Sequence, residues 1–194
     1  MTDWIVFDYG GVLSLPQPDT DQAALAGLAG LPEAEFATGY WAYRAEYDRG
    51  DLSPVEYWSR VAGRSVDAGD AADLDDADVR GWTHLNDATF GVVEQLAARG
   101  QALALLSNTP ESVATAMDRS GWAHLFPQRY YSCRVRMAKP DPEIYKHILA
   151  ELGAAADEIT FIDDRSENID GAAQLGIRGI RFTDATALSG PLGL

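Results

Sequence analysis

The chain has 194 residues, 46% of them hydrophobic, which is enough for the core of one domain or of a domain carrying an insertion. Its 30 Asp and Glu against 15 Lys and Arg give a net charge of −15, which opposes binding to nucleic acid and to anionic membrane surfaces. A single cysteine, Cys133, excludes an internal disulfide. No apolar run approaches the ~20 residues of a membrane span, and the N-terminus lacks a basic start followed by a long apolar region, so a cytoplasmic location is expected.

The first apolar run, Trp4-Ile5-Val6-Phe7, has strand length and stops at one carboxylate, Asp8, with Gly10 and Gly11 just beyond. Residues 15–88 then read as helical and aromatic rather than as alternating strands and helices. Within them Tyr40, Tyr43, Arg44 and Tyr47 recur at spacings of three and four, on one face of a helix that Gly50 closes. That face either packs inward or looks onto a site. In the second case Arg44 meets an anion, the tyrosines stack on or hydrogen-bond to a ring, and Asp48 binds a hydroxyl. Trp41 and Trp58 read as core of the insertion, and the acid-rich stretch 67–78 as a loop plus a solvated helix face.

From residue 89 onward strands and helices alternate. A helix over 90–99 closes on Gly100, and the strand ALALLS (102–107) ends at Ser107-Asn108-Thr109. A helix over 110–120 begins with Pro110, and YYSCRV (130–135) adds a short strand. Lys139 lies in AKPDP, whose prolines hold the chain out of helix. A helix over 142–152 ends at Gly153. The strand ITFI (159–162) ends at Asp163-Asp164, with Arg165 and Asn168 beyond, followed by a helix over 169–175 and a last strand, IRGIRF (177–182). The pattern predicts an α/β fold: a doubly wound, Rossmann-like parallel sheet built from 1–14 and 89–194, with 15–88 a small helical unit inserted after strand one.

Ligands of open parallel sheets bind at the carboxyl ends of the strands. Those ends here carry Asp8, Ser107 and the adjacent pair Asp163-Asp164, whose mutual repulsion a cation would relieve. Mg²⁺ takes hard oxygen ligands, commonly one or two carboxylates and a substrate phosphate. Lys139 and the Ser107 hydroxyl then suit the remaining phosphate oxygens. By contrast, His84, His124 and His147 have no metal-ligand spacing, and Cys133 has no base beside it.

The order Asp8, Ser107, Lys139, Asp163-Asp164, carried on FDYGGVL, LLSNT, MAKPDPEIY and FIDDRSENI, resembles the four motifs of the haloacid dehalogenase superfamily. GGVL, SNT, KPDPEIY and DDRSENIDGAAQLGI are most similar to its bacterial α-D-glucose-1-phosphate phosphatase-like subgroup. The resemblance implies a phosphatase in which 15–88 is a cap and Asp8 attacks phosphorus to form an aspartyl-phosphate that water cleaves. It implies Mg²⁺ held by Asp8, the Gly10 carbonyl and Asp164, with Asp163 and Asn168 orienting metal-bound waters. Ser107 and Lys139 would hold the phosphoryl oxygens. Gly11 and Asn108, with Tyr43, Arg44 and Tyr47 of the cap, would bind a small phosphorylated metabolite, most favourably a sugar phosphate. The protein would act as a monomer or homodimer.

One position departs from the pattern. Most phosphatases of that superfamily carry a second Asp two residues past the nucleophile, a general acid and base of a kind worth about 10²–10⁴-fold. This chain has Gly10. A substrate such as a sugar-1-phosphate, with an easily leaving oxygen, answers the difference. So does a substitute donor, whether Asp163, Asp48, Tyr43 or His84. A binding or regulatory protein without turnover is the rival of another class. A metal-free dehalogenase is opposed by the Asp163-Asp164 pair. The Gly10-Gly11 pair also lets the chain turn sharply and bring a carbonyl close to a metal.

Overall fold

In the computed structural model, which describes residues 3–194, five short strands pair in parallel. They are β1 (Trp4–Phe7), β2 (Ala102–Ser107), β3 (Gln128–Tyr131), β4 (Ile159–Asp163) and β5 (Arg178–Arg181), in the order β3-β2-β1-β4-β5. β1 is central: Phe7 stands in register with Leu105 on one side and Ile162 on the other. The near-continuous apolar runs are what a sheet buried on both faces requires. Ile5, Phe7, Leu103, Leu105 and Ile162 join one core, while Val6, Ala104, Leu106 and Phe161 join another on the opposite face.

Four helices, α1 (Asp19–Ala29), α2 (Glu33–Asp48), α3 (Pro54–Ala62) and α4 (Ala68–Trp82), lie between β1 and the return of the chain through α5 (Asp87–Ala98). They share a third cluster that includes Leu25, Phe36, Tyr40, Tyr57, Trp58 and Leu74. Local chemistry marks their ends. Ser53 and Glu56 form a capping box ahead of Pro54, and Gly63 closes α3 in the left-handed conformation. Asp67 caps α4 by accepting from the Gly69 and Asp70 N–H groups. On the sheet, α5 and α6 (Glu111–Asp118) bring Val93, Leu96, Val113 and Met117 to the first face. A short α7 (Ser132–Val135) follows β3, and α8 (Pro142–Leu152) and α9 (Ser166–Ala173) cover the second face through Ile144, Tyr145, Ile148 and Ala172.

Three details differ from the sequence reading. The strand expected over 130–135 stops at Tyr131, and the next four residues form the single turn α7, which ends where Arg136 turns left-handed at φ 59°. The acid-rich stretch lies almost wholly in α4, and its Asp75 and Asp78 are buried rather than solvated, because tyrosine, tryptophan and arginine side chains of α2 and α3 reach them. Trp41 is 57% exposed, whereas Trp58 is fully buried. Tyr40, Arg44 and Tyr47 set the inner face of α2, and Trp41 sits one residue, about 100°, around the helix from Tyr40. Among the described residues no helix is long and apolar enough to cross a membrane.

Candidate active site

The site forms where β1, β2 and β4 end. The Asp8 N–H still donates to the Ile162 carbonyl, 2.8 Å away, so the nucleophile candidate is pinned by the last rung of the ladder. The chain then leaves the sheet at once: the Tyr9 carbonyl accepts from Val12, Leu13 and Ser14, and Gly11 lies at φ 74°. Asp8 Oδ1 accepts from the Tyr9 N–H at 2.7 Å and forms an ion pair with Lys139 Nζ at 2.7 Å. Among the described residues Asp8 Oδ2 accepts no hydrogen bond.

Lys139 comes in from the loop before α8. Its ammonium donates to Asp163 Oδ2 at 2.7 Å and to the Leu106 carbonyl at 3.0 Å, and forms an ion pair with Asp8 Oδ1 at 2.7 Å. Asn108 fixes that loop by a reciprocal pair: Nδ2 donates to the Lys139 carbonyl at 2.8 Å, and Oδ1 accepts the Lys139 N–H at 2.9 Å. Asp163 is fully buried and saturated, accepting also from Asn168 Nδ2 and from the Arg165 N–H. Ser107 and Asp164 differ from it. The buried Ser107 hydroxyl and the half-buried Asp164 carboxylate have no side-chain partner among the described residues, so both are open to a ligand.

These groups carry uneven charge. Asp8, Asp163 and Asp164 offer oxygens that all lie within 4.8 Å of one another, against one lysine. Burial pushes the Asp8 carboxyl up to about 7, with Asp163 adding to the rise and Lys139 opposing it. Burial and Asp163 raise Asp164 as well. Lys139 is held above its usual range: burial works against its charge, but the charges of Asp8 and Asp163 outweigh it. A hard divalent cation among oxygen donors removes this repulsion. The backbone leaves room for one, because a methyl group on Gly11 would stand 2.6 Å from Asp164 Oδ2; only glycine lets the loop lie so close. The donor set, all oxygen with no thiolate or imidazole, fits Mg²⁺.

The haloacid dehalogenase-like hydrolase family model matches residues 2–176. The chain belongs to that family. It is 26% identical over 184 residues to the sesquiterpene phosphatase astK of Aspergillus oryzae, covering 94% of this chain and 90% of that protein. A HAD family enzyme from Bacteroides thetaiotaomicron superposes with a TM-score of 0.81 at 22% identity over 98% of both chains. The same enzyme has been solved in complex with magnesium and inorganic phosphate (TM-score 0.75, 21% identity, 97% of this chain and 99% of that one). The L-2-haloacid dehalogenase of Xanthobacter autotrophicus shares the fold at a TM-score of 0.69 and 19% identity, over 100% of this chain and 83% of that one.

The other expected site residues of this hydrolase lie elsewhere. Arg44, 6% exposed, is not offered to an anion: its guanidinium pairs with Asp48 at 2.6 Å and Asp78 at 2.8 Å. Tyr47 is buried and donates to Asp75 at 2.6 Å, and Tyr43 packs beside the same cluster with the Arg60 guanidinium over its ring. None of the three makes a hydrogen bond or ion pair with the Asp8 cluster. Of the two alternatives that the spacing left open, this structure has the face packing inward, against Asp75 and Asp78 of α4. Three-and-four spacing marked a helix face correctly, but the partners that turn it inward come from α4.

Of the four substitute proton donors, Asp163, Asp48 and His84 are engaged by other groups, whereas Tyr43 is held by its ring against the cap cluster and Arg60. Asp48 is bound by Arg44, and Asp163 is saturated by Lys139, Asn168 and the Arg165 N–H. His84 lies on the surface, 2.6 Å from Asp21. Sequence reasoning missed Trp82, which lies against Gly10, and Asp78, which holds Arg44. Their signal was a matched pair of spacings: Tyr40 and Arg44 four apart on α2, Asp78 and Trp82 four apart on α4.

Proposed function

We propose that this hydrolase is a Mg²⁺-dependent phosphomonoesterase acting on a small phosphorylated metabolite through an aspartyl-phosphate on Asp8. The observation that carries the reading is Asp8 itself. One of its oxygens is anchored by the Tyr9 N–H and Lys139, and the other accepts no hydrogen bond among the described residues, in a cluster that includes the Asp164 carboxylate and at the same sheet edge as the end of β2 at Ser107. Asp8, the Gly10 carbonyl and Asp164 would hold Mg²⁺. When bound, the ion would neutralise the carboxylates and withdraw charge from the phosphoryl group.

The chain's own residues then perform two displacements. The free Asp8 oxygen attacks phosphorus, and the ester P–O bond breaks with its electron pair passing to the leaving oxygen, which departs as the anion and takes its proton from solvent. Water next attacks the aspartyl-phosphate, releasing inorganic phosphate and restoring the Asp8 carboxylate. The Ser107 hydroxyl and the Gly11 and Asn108 backbone orient the phosphoryl oxygens. Lys139 acts chiefly by holding Asp8 in place and offsetting the negative cluster, since its ammonium already meets Asp8, Asp163 and the Leu106 carbonyl. Asp163 and Asn168 brace that lysine and the metal shell. Residues 1–14 and 89–194 serve as the catalytic domain, and residues 15–88 as a cap that excludes water.

Gly10 narrows the substrate. An ester whose leaving oxygen is acidic loses little when no carboxylic acid stands beside it, and a sugar-1-phosphate, leaving as a hemiacetal oxygen, meets that condition. The test is phosphate release from sugar-1-phosphates, sugar-6-phosphates, nucleotides and an aryl phosphate, with and without Mg²⁺. Turnover that needs Mg²⁺ and disappears in Asp8→Asn is expected, with sugar-1-phosphate and aryl ester preferred. Absence of turnover across the panel, from folded protein that binds Mg²⁺, favours a binding protein and rejects the reading.

A further inference from the structure

The surface that meets Gly10 belongs to Trp82, the last residue of α4. A side chain at position 10 would begin 3.4 Å from Trp82 Cζ3 and 3.9 Å from Cε3, so the six-membered ring of the indole stands in van der Waals contact with the residue-10 position. The residue is fixed at its ring and at its backbone. Trp82 Nε1 donates to Tyr40 Oη at 2.9 Å, and the Trp82 carbonyl accepts from the Tyr9 hydroxyl at 2.9 Å. Tyr40 in turn donates to Asp78 at 2.7 Å and accepts from Arg44 Nη1, whose guanidinium lies 5.8 Å from the indole centroid. The buried charge cluster of α2 and α4 therefore holds one aromatic ring against the loop that follows Asp8.

This changes what a leaving group encounters. The acids nearest that cluster, Asp48 and Asp78, are bound to Arg44, and His84 is paired with Asp21 on the surface. Beside the Asp8 loop the cap instead offers a flat apolar ring.

We propose that Trp82 is the specificity-determining residue on the leaving-group side of the site. It closes the residue-10 position to a proton donor and selects phosphate esters whose leaving group is a ring with an apolar face that departs without protonation. The inference rests on the phosphomonoesterase reading and adds to it the residue that chooses the substrate. Tyr40 and Arg44 are positioning residues that act through the indole.

The experiment uses the full chain in Mg²⁺ with aryl phosphates of graded phenol acidity, and with phenyl and 1-naphthyl phosphate, whose phenols are of similar acidity. In the wild type, kcat/KM should fall steeply as the phenol becomes less acidic. Gly10→Asp should leave that slope unchanged, because Trp82 holds the new carboxyl away, whereas Gly10→Asp combined with Trp82→Ala should flatten it. Trp82→Ala alone should cut the naphthyl-over-phenyl preference by about 10-fold, and Tyr40→Phe should move it the same way. If Trp82→Ala does not fold, Trp82→Phe serves in the same comparisons. A slope flattened by Gly10→Asp alone, or a naphthyl preference unmoved by a folded Trp82 variant, overturns the inference while leaving the phosphomonoesterase intact. No phosphate release from any aryl ester by wild-type protein overturns both.

Discussion

Gly11 lies so close to Asp164 that a single added methyl group would stand 2.6 Å from the Asp164 Oδ2 atom. The same residue sits at φ 74°, where a Cβ is strained in any case. Gly11→Ala should therefore push the loop away from the carboxylate and lower Mg²⁺ affinity or activity by about 10–100-fold. Titration calorimetry with Mg²⁺ alone checks this, and unaltered affinity would show that the loop and Asp164 do not share an ion. In the wild type, Mg²⁺ at about 100 times its Kd should add about 2.7 kcal/mol of stability. That corresponds to a melting temperature raised by roughly 5–10 °C for a chain of this size. EDTA should abolish the rise, and Asp164→Asn should remove most of it.

Lys139→Met would leave Asp8 and Asp163 buried without their cation, and breaking a buried pair in this way costs about 3–5 kcal/mol. Adding Asp163→Asn should recover part of the loss, because one of the stranded charges is then gone. Urea denaturation of the single and double variants in EDTA measures both. A Lys139→Met protein as stable as wild type would mean the ammonium contributes nothing to the apo fold.

Arg44 and Arg60 lie on neighbouring helices of the same helical unit and should behave differently. Arg44→Met strands Asp48 and Asp78 inside the protein, an expected loss of about 3–5 kcal/mol. Arg60→Ala removes an ion pair with Glu46 in which both side chains are 45% exposed, an expected loss of about 0.2–1 kcal/mol. Equal losses on chemical denaturation would contradict the inward placement of Arg44.

Asp75 gives a pH signature. Burial raises its carboxyl above the ordinary 3.8, even though Tyr47 and Trp58 donate to it. The folded protein thus holds this proton more tightly than the unfolded chain does. Its contribution is favourable at low pH and is lost as pH rises from about 3.8 through the raised value. Asp75→Asn keeps the acceptor oxygen and removes the charge, so its stability relative to wild type should increase from pH 4 towards pH 7. A pH-independent difference would place Asp75 in water.

The strand ends were legible in the sequence because each apolar run stops abruptly at a polar residue, so Asp8, Ser107 and Asp163-Asp164 mark one edge of a sheet. Lys139 was legible by its rigid proline setting. The inner side of the helical unit was not. Whether Arg44 faces a substrate or a neighbouring aspartate depends on Asp78, which reaches it only after α3 and α4 have packed. The contact between Gly10 and Trp82 is likewise long-range. Glycine at position 10 shows which side chain is missing, but not what fills its place.

The sheet order has a consequence for how the protein is made. β1 leaves the ribosome first, yet its neighbours β2 and β4 and the lysine that neutralises Asp8 come much later; Lys139 follows Asp8 by about 130 residues. At translation rates of about 5–20 residues per second, the nascent first strand waits on the order of ten seconds with unpaired backbone edges, apolar side chains without a core and an uncompensated carboxylate. Until then the three strands and the lysine loop that supply the site exist only as separate pieces, and no shorter intermediate can hold the ion or the phosphate.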